Sequence, residues 1–322
     1  MGRARGVPVA AVSILLAATG CFAHRFRSSP RVGIVGGDPI VEMAPAHRFP
    51  SIPRANMVPL AHLYREKLDA DDRVLGLALG GEARAYPLGL LDRFEVVNDQ
   101  VAGRPVVAVR CALTEVASVW DRRVDGRALL FEGTGALWRD TLVFRDRETR
   151  TYWSAATGAG ISGPLAGRRL TGIPAVVTRG DRWEEAHPES LYLEVGLGTE
   201  ASTPLKLKLY RISPMQGVSG EKTSDRRHKP KEVLLAFEAG DQALAFTPRE
   251  IEERGSVETT FAGQAVRIEW DPTVAAPRLI AADGGERPLL TMYWFALGRH
   301  FGRVVTLSET IGRSARARSP EA

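Results

Sequence analysis

The chain is predicted to be mainly β, a β-rich α+β fold of duplicated β-hairpin units with a few short helices. Three observations predict it. Apolar runs of strand length flank two-residue turn signals, as Val74–Leu79 and Glu82–Tyr86 flank Gly80-Gly81. A similar succession returns faintly in the second half. Helical spacing is confined to short pieces such as 88–93 and 181–187.

The elements follow in order. Arg3 and Arg5 precede an apolar run from Val7 to Ala18, and Ala18-Thr19-Gly20-Cys21 closes it. A basic head, a short apolar stretch and small residues before a cysteine mark a secretory signal with a lipobox. Residues 1–20 are therefore read as a lipoprotein signal peptide and Cys21 as the lipid-attachment residue. The other reading is a soluble export signal cut near Ala23. Residues 21–47 are polar, carry Gly and Pro, and read as a tether.

After the first hairpin, 88–93 reads as a short helix following Pro87. Val96–Asn98, Val101 and Val106–Cys111 read as a second hairpin turned at Ala102-Gly103. Strands are expected at 118–120, 128–132 and 142–145, with Asp125-Gly126 as a turn. Asp181–His187 has helical spacing and stops at Pro188. Residues 196–230 break the pattern and read as a linker or excursion, partly ordered by 205–210. The second half then echoes the first. Gly240-Asp241 answers Gly81-Glu82, and 257–266 answers 97–106 with one extra residue between. That register sets Asp271-Pro272 against Cys111-Ala112. The last element is read at Leu289–Phe295. The organisation is thus 48–195 as a first repeat, 231–305 as a degenerate second repeat and 306–322 as a basic tail.

Hydrophobic residues make up 44% and charged residues 25%, so an ordinary folded chain is expected rather than a disordered one. The net charge of +5 falls to +3 once Arg3 and Arg5 are removed. No Lys/Arg cluster is interleaved with aromatics, which argues against nucleic acid as a partner. Gly217-Val218-Ser219-Gly220-Glu221-Lys222-Thr223 fails as a phosphate loop, because Glu221 separates Gly220 from Lys222. The six histidines show no metal spacing.

Gly81-Glu82-Ala83-Arg84-Ala85-Tyr86-Pro87-Leu88, Glu95-x-Val97-Asn98-Asp99 and Gly163-Pro164-Leu165-Ala166-Gly167 together resemble the bacterial family known as domain of unknown function 3179. Members usually carry Trp-His-Glu-x-Val-Asn-Asp and Tyr-Cys-Pro-x-Cys-Gly-Ser. Here the first motif reads Arg93-Phe94-Glu95-Val96-Val97-Asn98-Asp99, and the second Arg110-Cys111-Ala112-Leu113-Thr114-Glu115-Val116. The histidine is Phe94 and the second cysteine is Thr114. Two cysteines and a histidine can hold a soft metal or exchange disulfides. One thiol cannot close an internal disulfide. The resemblance therefore implies a member that has drifted from the family's chemistry.

Cys111, Glu95 and Asp99 remain as candidates for catalysis, and Asn98, Arg110 and Trp120 for ligand contact. No metal and no cofactor are predicted. The leading expectation is a non-catalytic envelope lipoprotein, exported and lipid-anchored, at the outer membrane or periplasmic face if the source has two membranes. Its partners would be membrane lipid through Cys21 and an envelope protein or small-molecule ligand. The alternative is a thiol- or metal-dependent redox protein, with copper or another soft metal at Cys111. A hydrolase using Glu95 or Asp99 as base is a third reading. Cys111 ends an apolar strand, where a cysteine is most often a buried small hydrophobe.

The lipobox reading makes a direct prediction. Cys21→Ser abolishes incorporation of radiolabelled palmitate, and equal label in both proteins refutes lipid attachment at this residue.

Overall fold

The computed structural model describes residues 28–62, 72–196 and 203–311. Cys21 and the arginines of the C-terminal tail lie outside the described residues. The fold is mainly β with short helices.

The first hairpin, Arg73–Leu79 with Glu82–Pro87, turns at Gly80-Gly81, both with positive φ. That is the geometry a two-residue hairpin loop demands. Leu88–Phe94 is helical, and three antiparallel strands follow at Val96–Val101, Arg104–Cys111 and Val116–Asp121. Successive side chains of a strand point to opposite faces. Leu75, Leu77 and Tyr86 of the hairpin pack on Val97, Val106, Ala108 and Val119 of the three-strand sheet, with Leu91 of the helix in the same core. Val107 and Val109, on the other face, serve a second core.

The same elements recur 160 residues on. Val233–Ala239, Gln242–Phe246, the helix Pro248–Arg254, Ser256–Phe261, Gln264–Asp271 and Ala276–Ala281 match the first series in order. They also match in length, except that Gln242–Phe246 is one residue shorter than its counterpart Glu82–Pro87. The pairing register is the same, Leu75 facing Tyr86 as Leu235 faces Phe246, and Val106 facing Asp121 as Val266 faces Ala281. The offset is constant throughout, so the extra residue expected from the sequence is absent. Phe237, Phe246, Ile251, Val266 and Leu279 form the second module's core.

The likeness runs further, at an offset of 114. Gly172–Ile173 and Glu286–Arg287 edge the two three-strand sheets. Val176–Arg179 and Leu290–Tyr293 pair antiparallel with the first strand of each module. The helices Gly180–Ala186 and Trp294–His300 come next. Leu191–Leu193 and Arg303–Thr306 then pair in parallel with the second strand of each hairpin. Leu289–Phe295 is thus a strand running into a helix, and a further strand follows it. Thr306 is still paired and Leu307 is buried, so the tail begins later than residue 306.

The drop from 160 to 114 reflects an insertion between Asp121 and Gly172. It builds most of a six-stranded sheet from Phe131–Trp138, Thr141–Asp146, Tyr152–Ser154 and Gly160–Ser162. The other two strands are Arg31–Val35 and Asp38–Glu42, a hairpin whose Val41 pairs with Leu137. Residues 31–42, expected as tether, are therefore part of the fold, and Ile40 and Val41 are buried. The sheet was unreadable as such because its strands come from two distant stretches.

The modules pack reciprocally. Leu234, Ala236 and Met292 share a core with Val107, Val109 and Val116, and Phe131, Phe144 and Trp153 of the insertion join it. In return Val274 and Ala276 lie against Val74, Ala85 and Trp183. Gly76 lets Trp183 lie flat on the hairpin, since a Cβ there would sit 2.3 Å from the indole ring.

Asn98 joins three segments. Its amide nitrogen donates to Ile52 O at 3.0 Å and Phe131 O at 2.8 Å, and its oxygen accepts from Phe131 N at 2.9 Å. Asn98→Ala strands these buried groups and lowers unfolding stability by about 3 kcal/mol. An unchanged midpoint in urea would show that water replaces the amide.

Candidate functional site

The helix Leu88–Phe94 ends at Glu95, which has φ 35° and ψ −33°. The second module has Gly255 at this point, with φ 73°. A left-handed cap suits glycine and costs a side-chain-bearing residue on the order of 1 kcal/mol. The Glu95 backbone is engaged, its N–H donating to Leu91 O at 2.9 Å and its carbonyl accepting from Arg110 N at 2.8 Å. In its side chain, Oε2 is buried without a hydrogen-bond partner. Burial, then the neighbouring Asp92, pushes the carboxyl up to about 8. Glu95 is therefore mainly protonated at neutral pH.

Cys111 ends its strand beside this carboxyl. It is a free, buried cysteine, and its Sγ accepts from Leu142 N at 3.3 Å. Burial raises the thiol, Thr114 works the other way, and Glu95 adds to the rise. Thr114 is buried, and its hydroxyl, though close enough to favour the thiolate, is not aligned as a hydrogen bond. A protonated, enclosed thiol is a weak nucleophile. Tyr210 closes the turn after Cys111: its hydroxyl donates to Leu113 O at 2.7 Å and accepts from Gly217 N at 3.0 Å. Residues 203–230 are thus an excursion packed over the site, with Val218 buried, rather than a free linker.

Arg110 lies next to the thiol in sequence but serves another centre. Its Nε donates to Asp92 Oδ1 at 3.0 Å and its Nη2 to Glu115 Oε2 at 2.8 Å. Arg73 adds a 2.7 Å bond to Glu115, and Arg211 a 3.1 Å bond to Asp92. Burial alone would lower the Arg110 guanidinium, but Glu115 and Asp92 hold it above its ordinary value. Burial would raise Glu115, yet Arg110, Arg73 and Arg211 bring it down to about 2. Arg110 is therefore a structural cation rather than an open ligand contact. Sequence reasoning missed Asp92, Glu115 and Arg211. The available signal was the arginine itself, since a charge inside an apolar strand requires acids nearby.

Asp99 does not join Glu95. They stand four positions apart along the chain, roughly 13 Å in extended backbone. Asp99 accepts from Tyr86 Oη at 2.7 Å and lies 3.7 Å from Arg84 Nε. Asn98 commits both amide hydrogens to the backbone of Ile52 and Phe131, which corrects the expectation of a ligand contact there. Trp120 lines a cleft of about 310 Å³ between the modules, with Arg169, Glu238 and Arg287. Its indole nitrogen is buried without a partner. A second cleft of about 600 Å³ opens on the reciprocal side of the interface. There the His187 ring lies 4.1 Å from that of Trp183 at a tilt of 42°, and Arg278 bonds Glu286 at 2.9 Å and Asp271 at 3.4 Å.

The family model described as a protein of unknown function (DUF3179) matches residues 46–313, most of the chain. The chain belongs to the DUF3179 family. No curated protein and no solved structure matches it. Residues 93–99 and 110–116 meet in the fold, for Glu95 and Thr114 both act on Cys111. Phe94 packs against the first module's core instead of the cluster that holds Cys111. Among the described residues no three His, Cys, Asp or Glu side chains are grouped to hold a metal ion.

Glu95 sets a pH dependence whose sign is fixed. Its folded value of about 8 exceeds the ordinary 4.5, so the folded state keeps a proton that the unfolded state releases between them. Its effect is to reduce stability as pH rises through that window and to level off above it. Glu95→Gln flattens this slope by up to about 1.4 kcal/mol per pH unit. Chemical unfolding across this range measures it, and parallel curves for the two proteins would contradict a proton-holding Glu95.

Proposed function

We propose that this protein is a membrane-tethered envelope lipoprotein acting as a non-catalytic scaffold for a ligand or partner protein. The observation carrying this reading is the sealed, protonated thiol of Cys111, flanked by Thr114 where the family has a second cysteine. The Ala18-Thr19-Gly20-Cys21 lipobox supports the tether. The matching order of elements in the two modules supports reading the second as a degenerate copy, with Asp271 and Gly255 in the places of Cys111 and Glu95. The ligand site on this reading is the larger cleft, lined by His187, which packs on the buried Trp183, and by Arg278, a cation held between acids.

One observation favours a second reading. The unpaired Glu95 Oε2 and the Thr114 hydroxyl both lie beside the thiol, as they would around a reacting or ligated sulfur. In that case Cys111 would serve thiol exchange or bind copper or another soft metal.

Metal content and thiol labelling separate the two. The scaffold reading expects metal-free protein and Cys111 labelling that needs unfolding. Phe94→His with Thr114→Cys is expected to raise copper or zinc uptake above wild type. Stoichiometric metal in the wild type, lost in Cys111→Ala, would replace the scaffold with the redox reading.

A further inference from the structure

Among the described residues, four large apolar side chains are exposed, and three of them belong to one helix: Leu205, Leu209 and Ile212. That helix spans Leu205–Ile212. Positions i, i+4 and i+7 fall on one face. Lys206 and Lys208 are also exposed, and at about 100° per residue they flank the apolar stripe on either side. The opposite face is fixed to the fold. Tyr210 is buried, with its hydroxyl on Leu113 O, and Arg211 bonds Asp92. Lys231 Nζ caps the C-terminal end through the carbonyls of Tyr210 and Ser213. A short anchored helix therefore holds an apolar, lysine-edged ridge outward.

The geometry points to an anionic lipid surface as the occupant of this ridge. The helix would lie in the plane of the headgroups, with Leu205, Leu209 and Ile212 entering the acyl boundary. The lysine stems would lie along the apolar surface and their ammonium groups would meet lipid phosphates. Charge complementarity selects the lipid, since the ridge carries two cations and the chain is net positive, +5 as a whole and +3 without Arg3 and Arg5. A protruding three-residue stripe is also too small for a stable interface between proteins. The inference is independent of lipid attachment at Cys21. It adds a second membrane contact that would orient the excursion and the site beneath it towards the bilayer.

The test uses the full chain carrying Cys21→Ser, so that acylation plays no part. Leu209→Trp supplies a reporter, and vesicles contain phosphatidylglycerol with brominated acyl chains. The added tryptophan is expected to be quenched on vesicle binding beyond the background of the native tryptophans. Leu205→Ser with Leu209→Ser and Ile212→Ser weakens vesicle partitioning about tenfold or more. Lys206→Glu with Lys208→Glu weakens it on anionic vesicles but not on purely zwitterionic ones. Absence of extra quenching, with equal partitioning of the triple variant, overturns the inference. So does a dimer in lipid-free buffer that the triple variant converts to monomer, because a second copy would then cover the ridge. Palmitate labelling at Cys21 is read separately, so failure of the tether and failure of the ridge are distinguishable.

Discussion

The buried charge of Arg110 is the constraint around which the first module is arranged. An isolated guanidinium inside a protein is prohibitively costly, so acids must reach it with good geometry. Asp92 arrives from the helix and Glu115 from the turn after Cys111. Arg73 and Arg211 then balance the two carboxylates from the first strand and the excursion. All these segments are held in one network. The helix end that carries Glu95 and the turn that carries Thr114 are both fixed by it, and so is the enclosure of Cys111 between them.

The second module shows what the same backbone does without that network. Trp270 stands at the place of Arg110, Glu252 at that of Asp92 and Ala275 at that of Glu115. Its helix closes on Gly255, which takes the left-handed conformation with no Cβ to oppose it. The first module keeps a glutamate there and leaves a carboxyl oxygen unpaired. Backbone strain and an unsatisfied polar atom thus coincide at one residue. Beside it, Thr114 and Phe94 supply neither thiol nor imidazole, so the surroundings of Cys111 are set for enclosure.

Reciprocal packing of the modules creates the two clefts. Each module presents the turn after its long middle strand to the edge of the other. Tyr293 N bonding Thr114 O at 2.8 Å and Thr178 Oγ1 bonding Val274 O at 2.5 Å illustrate the exchange. The insertion and the N-terminal hairpin cover one side of this arrangement. They add Phe131, Phe144 and Trp153 to the core over Cys111 and leave the larger cleft open on the other side.

The local elements and the family were legible in the linear chain. Gly80-Gly81 and Ala102-Gly103 specify turns through backbone preference, and strand alternation shows which positions share a face, so both hairpins and the helix after Pro87 were readable. The pairing of Glu95 with Cys111 could be expected only through the family's motifs. The long-range pairings waited on the fold, because they depend on partners distant in the chain. Residues 31–42 become strands only where Phe131–Trp138 offers an edge. Asn98 is a clip because Ile52 and Phe131 converge on it, and Asp99 is taken up by Tyr86 and Arg84 instead of joining Glu95. Arg110 is structural because Asp92 and Glu115 reach it, with Arg211 brought in from the excursion. A linear pattern records which residue is polar or apolar, but only the folded chain determines which opposite charge or unpaired donor it meets.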